Sequence, residues 1–172
     1  MTSKKISLIV FLAFAVFIGA VTTSCGAYSF SGASVPDSIK TIRINFIDNK
    51  ARYVNPQLSP RLTDKFKQKI NSQTRLTQTN NDNAHYIIDS YVSDYTVSTS
   101  GISDQKTVSN RLTVGVHISV INTLSGKTDE YDVSRSFEFN GNKSFQSEEA
   151  GLMDNMVRDI TDDIFNRIFS NW

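Results

Sequence analysis

The amino-acid sequence predicts an α+β fold: a two-layer sandwich with two helices packed on one face of a four-stranded mixed sheet, in the order β-α-β-β-β-α. Three patterns point there. The spacing of apolar residues switches between a period of two and a helical period in that order along the chain. Residues 111–122 alternate cleanly, with Leu112, Val114, Val116, Ile118 and Val120 on one face and Thr113, Gly115, His117 and Ser119 on the other. Residues 147–170 form one long helix whose broad stripe (Leu152, Met153, Met156, Val157, Ile160, Ile164, Phe165, Ile168, Phe169) must be covered, and one-sided strands supply the cover.

Each element has its own signal. In residues 40–47, Ile42, Ile44 and Phe46 alternate with Arg43 and Asn45, which reads as the first strand. Leu58, Leu62, Phe66 and Ile70 then recur four apart, with Arg61, Asp64, Lys65, Lys67 and Lys69 off the stripe, so residues 56–71 read as a helix. Ser59 before Pro60 is the expected cap, with proline at the first helical position. Residues 84–98 form the second strand, whose facing the sequence leaves open: Tyr86, Ile88 and Val92 share one side with Asp94, and Ile87, Tyr91, Tyr95 and Val97 share the other with Asp89. Residues 100–109 are expected to loop before the third strand. Ser125-Gly126 marks a hairpin turn into a fourth strand over 129–140, where Tyr131, Val133, Phe137 and Phe139 share a face interrupted by Arg135. Ser147 is the expected cap of the last helix, with Glu148 and Glu149 in the first turn, where the helix dipole favours negative charge. The first two strands, joined by a helix, should be parallel, and the last three an antiparallel meander.

The start of the chain is organised differently. Lys4 and Lys5 precede an apolar run over residues 6–21, which then turns small and polar at Thr22, Thr23 and Ser24 before Cys25, the single cysteine. Sixteen residues rise roughly 24 Å as a helix, short of the ~30 Å of hydrocarbon a spanning helix must cross. The pattern reads as a secretory signal over 1–24. Its end resembles the lipobox of bacterial lipoproteins, in which the cysteine carries the acyl chains and becomes the mature N-terminus. That resemblance implies lipidation of Cys25, with Thr22 standing where leucine is commonest. Two or three chains at ~0.8 kcal/mol per buried methylene give lasting membrane attachment. The Ser- and Gly-rich residues 25–38 then serve as the acylated N-terminus and a tether, and residues 39–172 form a single domain.

Composition excludes several classes of function. The chain has 18 basic and 17 acidic residues; without Lys4 and Lys5 the balance is 16 against 17, or −1. A near-neutral exported domain has no general pull on nucleic acid. With Cys25 taken by lipid, no thiol remains for a disulfide or a nucleophile. His85 and His117 stand alone in different strands, so neither a metal site nor a catalytic histidine is expected. No phosphate loop or nucleophile elbow is present, and the acids of the last helix are spaced for its wet face. No cofactor is expected beyond the covalent lipid.

Three features remain as candidates. If the helices cover one face of the sheet, Tyr91, Tyr95 and His117, with Thr113 and Ser119, make a polar and aromatic partner surface on the other; ordinary cross-strand pairing is the plainer account. Lys106, Arg111, Lys127 and Arg135 lie in or beside the central strands and could meet phosphate, against the simpler reading of scattered solvated cations. Phe137, Phe139 and Phe145 cluster near the end of the fourth strand, where core packing is the default.

The segment Gly26-Ala27-Tyr28-Ser29-Phe30-Ser31-Gly32 after the lipobox, continued by IKTIRINFI at 39–47, resembles the opening of LptE-like lipopolysaccharide-assembly lipoproteins of the Bacteroidota type. The element order agrees with that family's two helices on a four-stranded sheet. The resemblance implies a non-enzymatic protein on the inner leaflet of the outer membrane. It would plug an LptD-like β-barrel, assist its assembly and help deliver lipopolysaccharide to the surface. It also implies basic lipid contacts, for which Lys106, Arg111, Lys127 and Arg135 are the candidates, although no motif fixes which. In bacteria of the group this sequence resembles, an acidic cluster after the cysteine marks lipoproteins for the cell surface; none follows Cys25, so the resemblance implies a domain facing the periplasm, and the plug role one inside the barrel lumen. The competing reading is a stand-alone periplasmic lipoprotein that binds a ligand or another protein.

Overall fold

The computed structural model describes residues 34–103 and 106–170, and for residues 102, 103 and 106–108 the backbone alone. The elements are β1 (Thr41–Ile44), β2 (Asp48–Asn49), α1 (Leu58–Gln73), β3 (Thr77–Gln78), β4 (Tyr86–Ser103), β5 (Lys106–Asn122), β6 (Lys127–Asn140) and α2 (Phe145–Phe169). They form one mixed sheet of order β3-β1-β4-β5-β6, with β2 also pairing β4. β1 runs parallel to β4 and to β3, and β4, β5 and β6 make the antiparallel meander. The expected α+β architecture is present. The two extra strands are two residues each, too short to show a period, and both pair in parallel beside longer ones.

The stripe of α1 is buried as its spacing requires: Leu58, Leu62, Phe66 and Ile70 have no exposure. It packs with α2, whose Met153, Met156, Val157, Ile160, Ile164, Phe165 and Phe169 are buried, over Leu112, Val114, Val116, Ile118 and Val120 of β5. Thr63 ties this layer to the sheet, accepting from the Ile47 N–H at 3.0 Å and donating to the Ser59 carbonyl at 2.8 Å.

Both helix starts differ from expectation. α1 begins at Leu58, so Ser59 is a buried residue of its first turn rather than its cap, and Pro60 is the third helical residue, where an N–H still lacks an intrahelical acceptor. Asn55 prepares the turn instead: its Oδ1 accepts from the Gln57 N–H at 2.8 Å and its carbonyl from the Leu58 N–H at 3.3 Å. In α2 the cap is Ser144, whose hydroxyl accepts from the Ser147 N–H at 3.3 Å, so the helix starts two residues earlier and brings in Phe145. The turn between β5 and β6 is as expected, with Gly126 at φ 70°, the left-handed region that favours glycine.

The expected loop over 100–109 is largely strand: β4 and β5 continue as a ladder to Ser103 opposite Lys106. The ambiguous facing of β4 has a physical cause. Val92 pairs with Val116, Asp94 with Gly115 and Tyr95 with Val114, so Ser93 is an extra residue in a β-bulge. The alternation therefore changes phase there, and Ile88, Val92 and Tyr95 all point to the helices. Gly115 opposes the bulge closely: a Cβ on it would lie 3.1 Å from Ser93 Oγ and 3.2 Å from Asp94 Cβ.

Candidate functional site

The face of the sheet away from the helices is polar, and its central row is set by register. Tyr91 lies opposite His117, and His117 opposite Asp132. The rings of Tyr91 and His117 are 5.0 Å apart, Lys50 Nζ sits 4.0 Å from the Tyr91 ring centroid, and His117 Nδ1 is 2.9 Å from an Asp132 oxygen. Beside this row a shallow cleft is lined by Asn45, Phe46, Asp48, Lys50, Asp89 and Tyr91, with Phe46 53% exposed. Two of the three expected partner-surface residues thus share one open row. The third does not: the bulge turns Tyr95 inward, leaving it 3% exposed.

The four candidate cations do not converge. Arg111 lies on the open face, bonded to its cross-strand neighbour Glu138 at 3.0 Å. Arg135 pairs in register with Val114 on the helix side, where it makes a two-pronged bridge to Asp163 of α2 at 2.8 and 2.7 Å. Lys127, at the start of β6, meets Asp129 at 2.7 Å. Eight residues at ~3.4 Å each put Arg135 about 27 Å along the strand from Lys127. The Lys106 side chain lies outside the described residues, as does Cys25. Each described cation already has an acid that an anionic ligand would have to displace.

The two histidines are engaged separately, His117 with Asp132 on the open face and His85 just before β4. His85 Nδ1 accepts from the Lys40 N–H at 3.0 Å, and among the described residues no group of three metal-ligating side chains exists.

Behind Tyr95 lies a polar centre that the sequence reading missed. Glu149, assigned from its position to the wet first turn of α2, is only 8% exposed. Its carboxylate accepts from Tyr95 Oη at 2.7 Å, Asn55 Nδ2 at 2.7 Å and Tyr53 Oη at 3.0 Å. These donors come from β4 and from the loop before α1, so one carboxylate joins three parts of the chain. Rings enclose it: Tyr53 stacks on Tyr95 at 5.3 Å, and Phe145 meets Tyr53 edge-on at 5.8 Å and lies 5.8 Å from Phe139. Phe137 and Phe139 are buried, and Phe145 packs against them, the core role expected of all three.

Burial, then the hydrogen bond to Glu149, raises the Tyr95 hydroxyl pKa well above its ordinary value of 10.0. A phenol that stays protonated in the folded state while the unfolded chain ionises contributes stability that is complete below pH 10 and is lost as pH rises further. Unfolding by alkali should therefore set in above about pH 10. In Tyr95→Phe the slope of stability against pH in that range should flatten, alongside a loss of about 1–2 kcal/mol at neutral pH. Urea melts at a series of pH values measure both.

With this geometry in place, comparison with known proteins decides the family. Residues 39–168 match the LptE family, described as lipopolysaccharide-assembly. The chain belongs to this family. No curated protein sequence matches it. Among solved structures it is similar to a putative neuraminyllactose-binding hemagglutinin homolog from Helicobacter pylori, with TM-score 0.55 and 6% identity over 82% of this chain and 89% of that one. It is also similar to lipoprotein GNA1162 from Neisseria meningitidis (TM-score 0.40, 13% identity, 72% and 99% covered) and to the PelC dodecamer from Paraburkholderia phytofirmans (0.42, 12%, 73% and 91%). At 6% identity, the likeness to the Helicobacter pylori structure speaks for the fold alone. For an LptE-family domain, the described residues hold no helix long and apolar enough to cross a membrane.

Proposed function

We propose that this LptE-family chain is an outer-membrane lipoprotein, acylated at Cys25, whose domain plugs an LptD-like β-barrel and supports its assembly as lipopolysaccharide passes to the surface. The family match over residues 39–168 carries this reading. The polar open face of the sheet is compatible with a water-filled lumen, and the role asks for no catalytic residues. Lys106, Arg111, Lys127 and Arg135 are the candidate phosphate contacts, each taken singly because they do not converge. Arg111 and Lys127 pair with exposed acids, so a phosphate displaces the acid at little cost. Arg135 joins β6 to α2 and gives up more when its bridge opens.

Mild detergent extraction of outer membranes followed by affinity purification should recover the chain in equal amounts with a large heat-modifiable barrel. Recovery of the chain alone, with normal surface lipopolysaccharide after depletion, would favour a stand-alone binding lipoprotein. For the anchor, Cys25→Ala should remove the lipid mass and leave a domain that still folds, with its thermal melt unchanged. A wild-type chain that carries no lipid mass would refute acylation.

A further inference from the structure

The two long edges of the sheet are treated differently. β6 carries Lys127, Asp129, Glu130, Asp132, Arg135 and Glu138, the charge by which natural sheets discourage another strand from adding. The other long edge is the far half of β4. β1 pairs β4 as far as Ile88 and β2 as far as Val92, and among the described residues no strand pairs that side beyond Val92. From 95 to 100 the edge reads Tyr-Thr-Val-Ser-Thr-Ser, with no charge and no proline. Apolar surface adjoins it: Val97 is 44% exposed, Tyr53, stacked on Tyr95, is 40%, and Val54 is 56%.

We propose that residues 95–100 of β4 are a docking strand, to which an extended, uncharged segment of the barrel partner adds backbone to backbone, laying an apolar side chain on Val97 beside Tyr53. The inference rests on the plug reading above and names the surface that reading leaves open. Strand addition takes affinity from main-chain hydrogen bonds and specificity from alternate side chains, which suits an edge with free ladder groups and one apolar flank. The wall of a closed barrel offers no free edge, so the added segment must be a lumen loop or an extended terminus rather than a wall strand.

The test uses the full-length chain in its own membrane, with a photo-reactive phenylalanine in place of Val97 and, separately, of Glu130 on the charged edge. Irradiation should join the chain to the co-purifying barrel from position 97 and not from position 130. Val97→Lys, which adds a guarding charge at an exposed site, should lower barrel recovery by roughly fivefold or more while leaving the melting temperature unchanged. Barrel recovered without an adduct at 97, or with an adduct only at 130, overturns the docking strand and leaves the plug reading standing. An adduct of twice the chain's mass identifies a second copy as the occupant and overturns it too. No barrel recovered with the unmodified chain removes both.

Discussion

Glu149→Ala should lower stability by about 3–4 kcal/mol, the largest effect expected of any polar side chain here. The substitution removes a nearly buried carboxylate that accepts three hydrogen bonds, from Tyr53, Asn55 and Tyr95. Hydrogen bonds to a charged group contribute about 1.5–3 kcal/mol each, and an orphaned buried donor costs about 1–3. The donors are not equally placed. Tyr95 is buried and keeps the full penalty, whereas Tyr53, 40% exposed, recovers part of its loss by bonding to water. At about 3 °C per kcal/mol for a domain of this size, the melting temperature should fall by roughly 10 °C. Glu149→Gln keeps the volume and one acceptor oxygen and should lose about half as much. A loss below about 1 kcal/mol for the alanine variant would show that the three segments are held by ring packing rather than by the carboxylate.

Phe66→Ala should cost about 3–5 kcal/mol. Phe66 has no exposure and sits in the middle of the α1 stripe between Leu62 and Ile70, so the vacated space opens at the junction of both helices and the sheet. Phe66→Leu, closer in volume, should cost less than about 1.5 kcal/mol. The ratio of the two in a urea melt separates a cavity from a general loss of helix. Equal losses would mean that the site tolerates no change of shape at all.

What the sequence made legible was what repeats locally. Four apolar residues at a spacing of four placed α1, and alternation over 112–120 placed the buried face of β5. Gly126 marked the turn. What it hid depends on partners distant in the chain. Glu149 stands among other acids in α2, and its donors are 54, 94 and 96 positions away, so local charge spacing read it as a solvated residue. The bulge left a trace, since β4 was apolar on both sides, but one extra residue cannot be located without its neighbour β5. The cations were read one at a time, and their acids, Glu138 across the ladder and Asp163 on α2, follow only from tertiary contact. Serine at both 144 and 147 offered two caps, and the earlier one lets Phe145 join the ring cluster.

The bulge also determines where β4 tolerates a change of length. Two residues, Ser93 and Asp94, fill the single step between inward Val92 and inward Tyr95. Deleting Ser93 leaves one residue in that step and preserves the direction of every side chain on either flank. Deleting one residue elsewhere between 86 and 92 inverts the flank before it or the flank after it. The strand thus has one spare position, and deleting it also removes the nearest of the atoms, Ser93 Oγ at 3.1 Å, that a side chain on Gly115 would meet across the ladder.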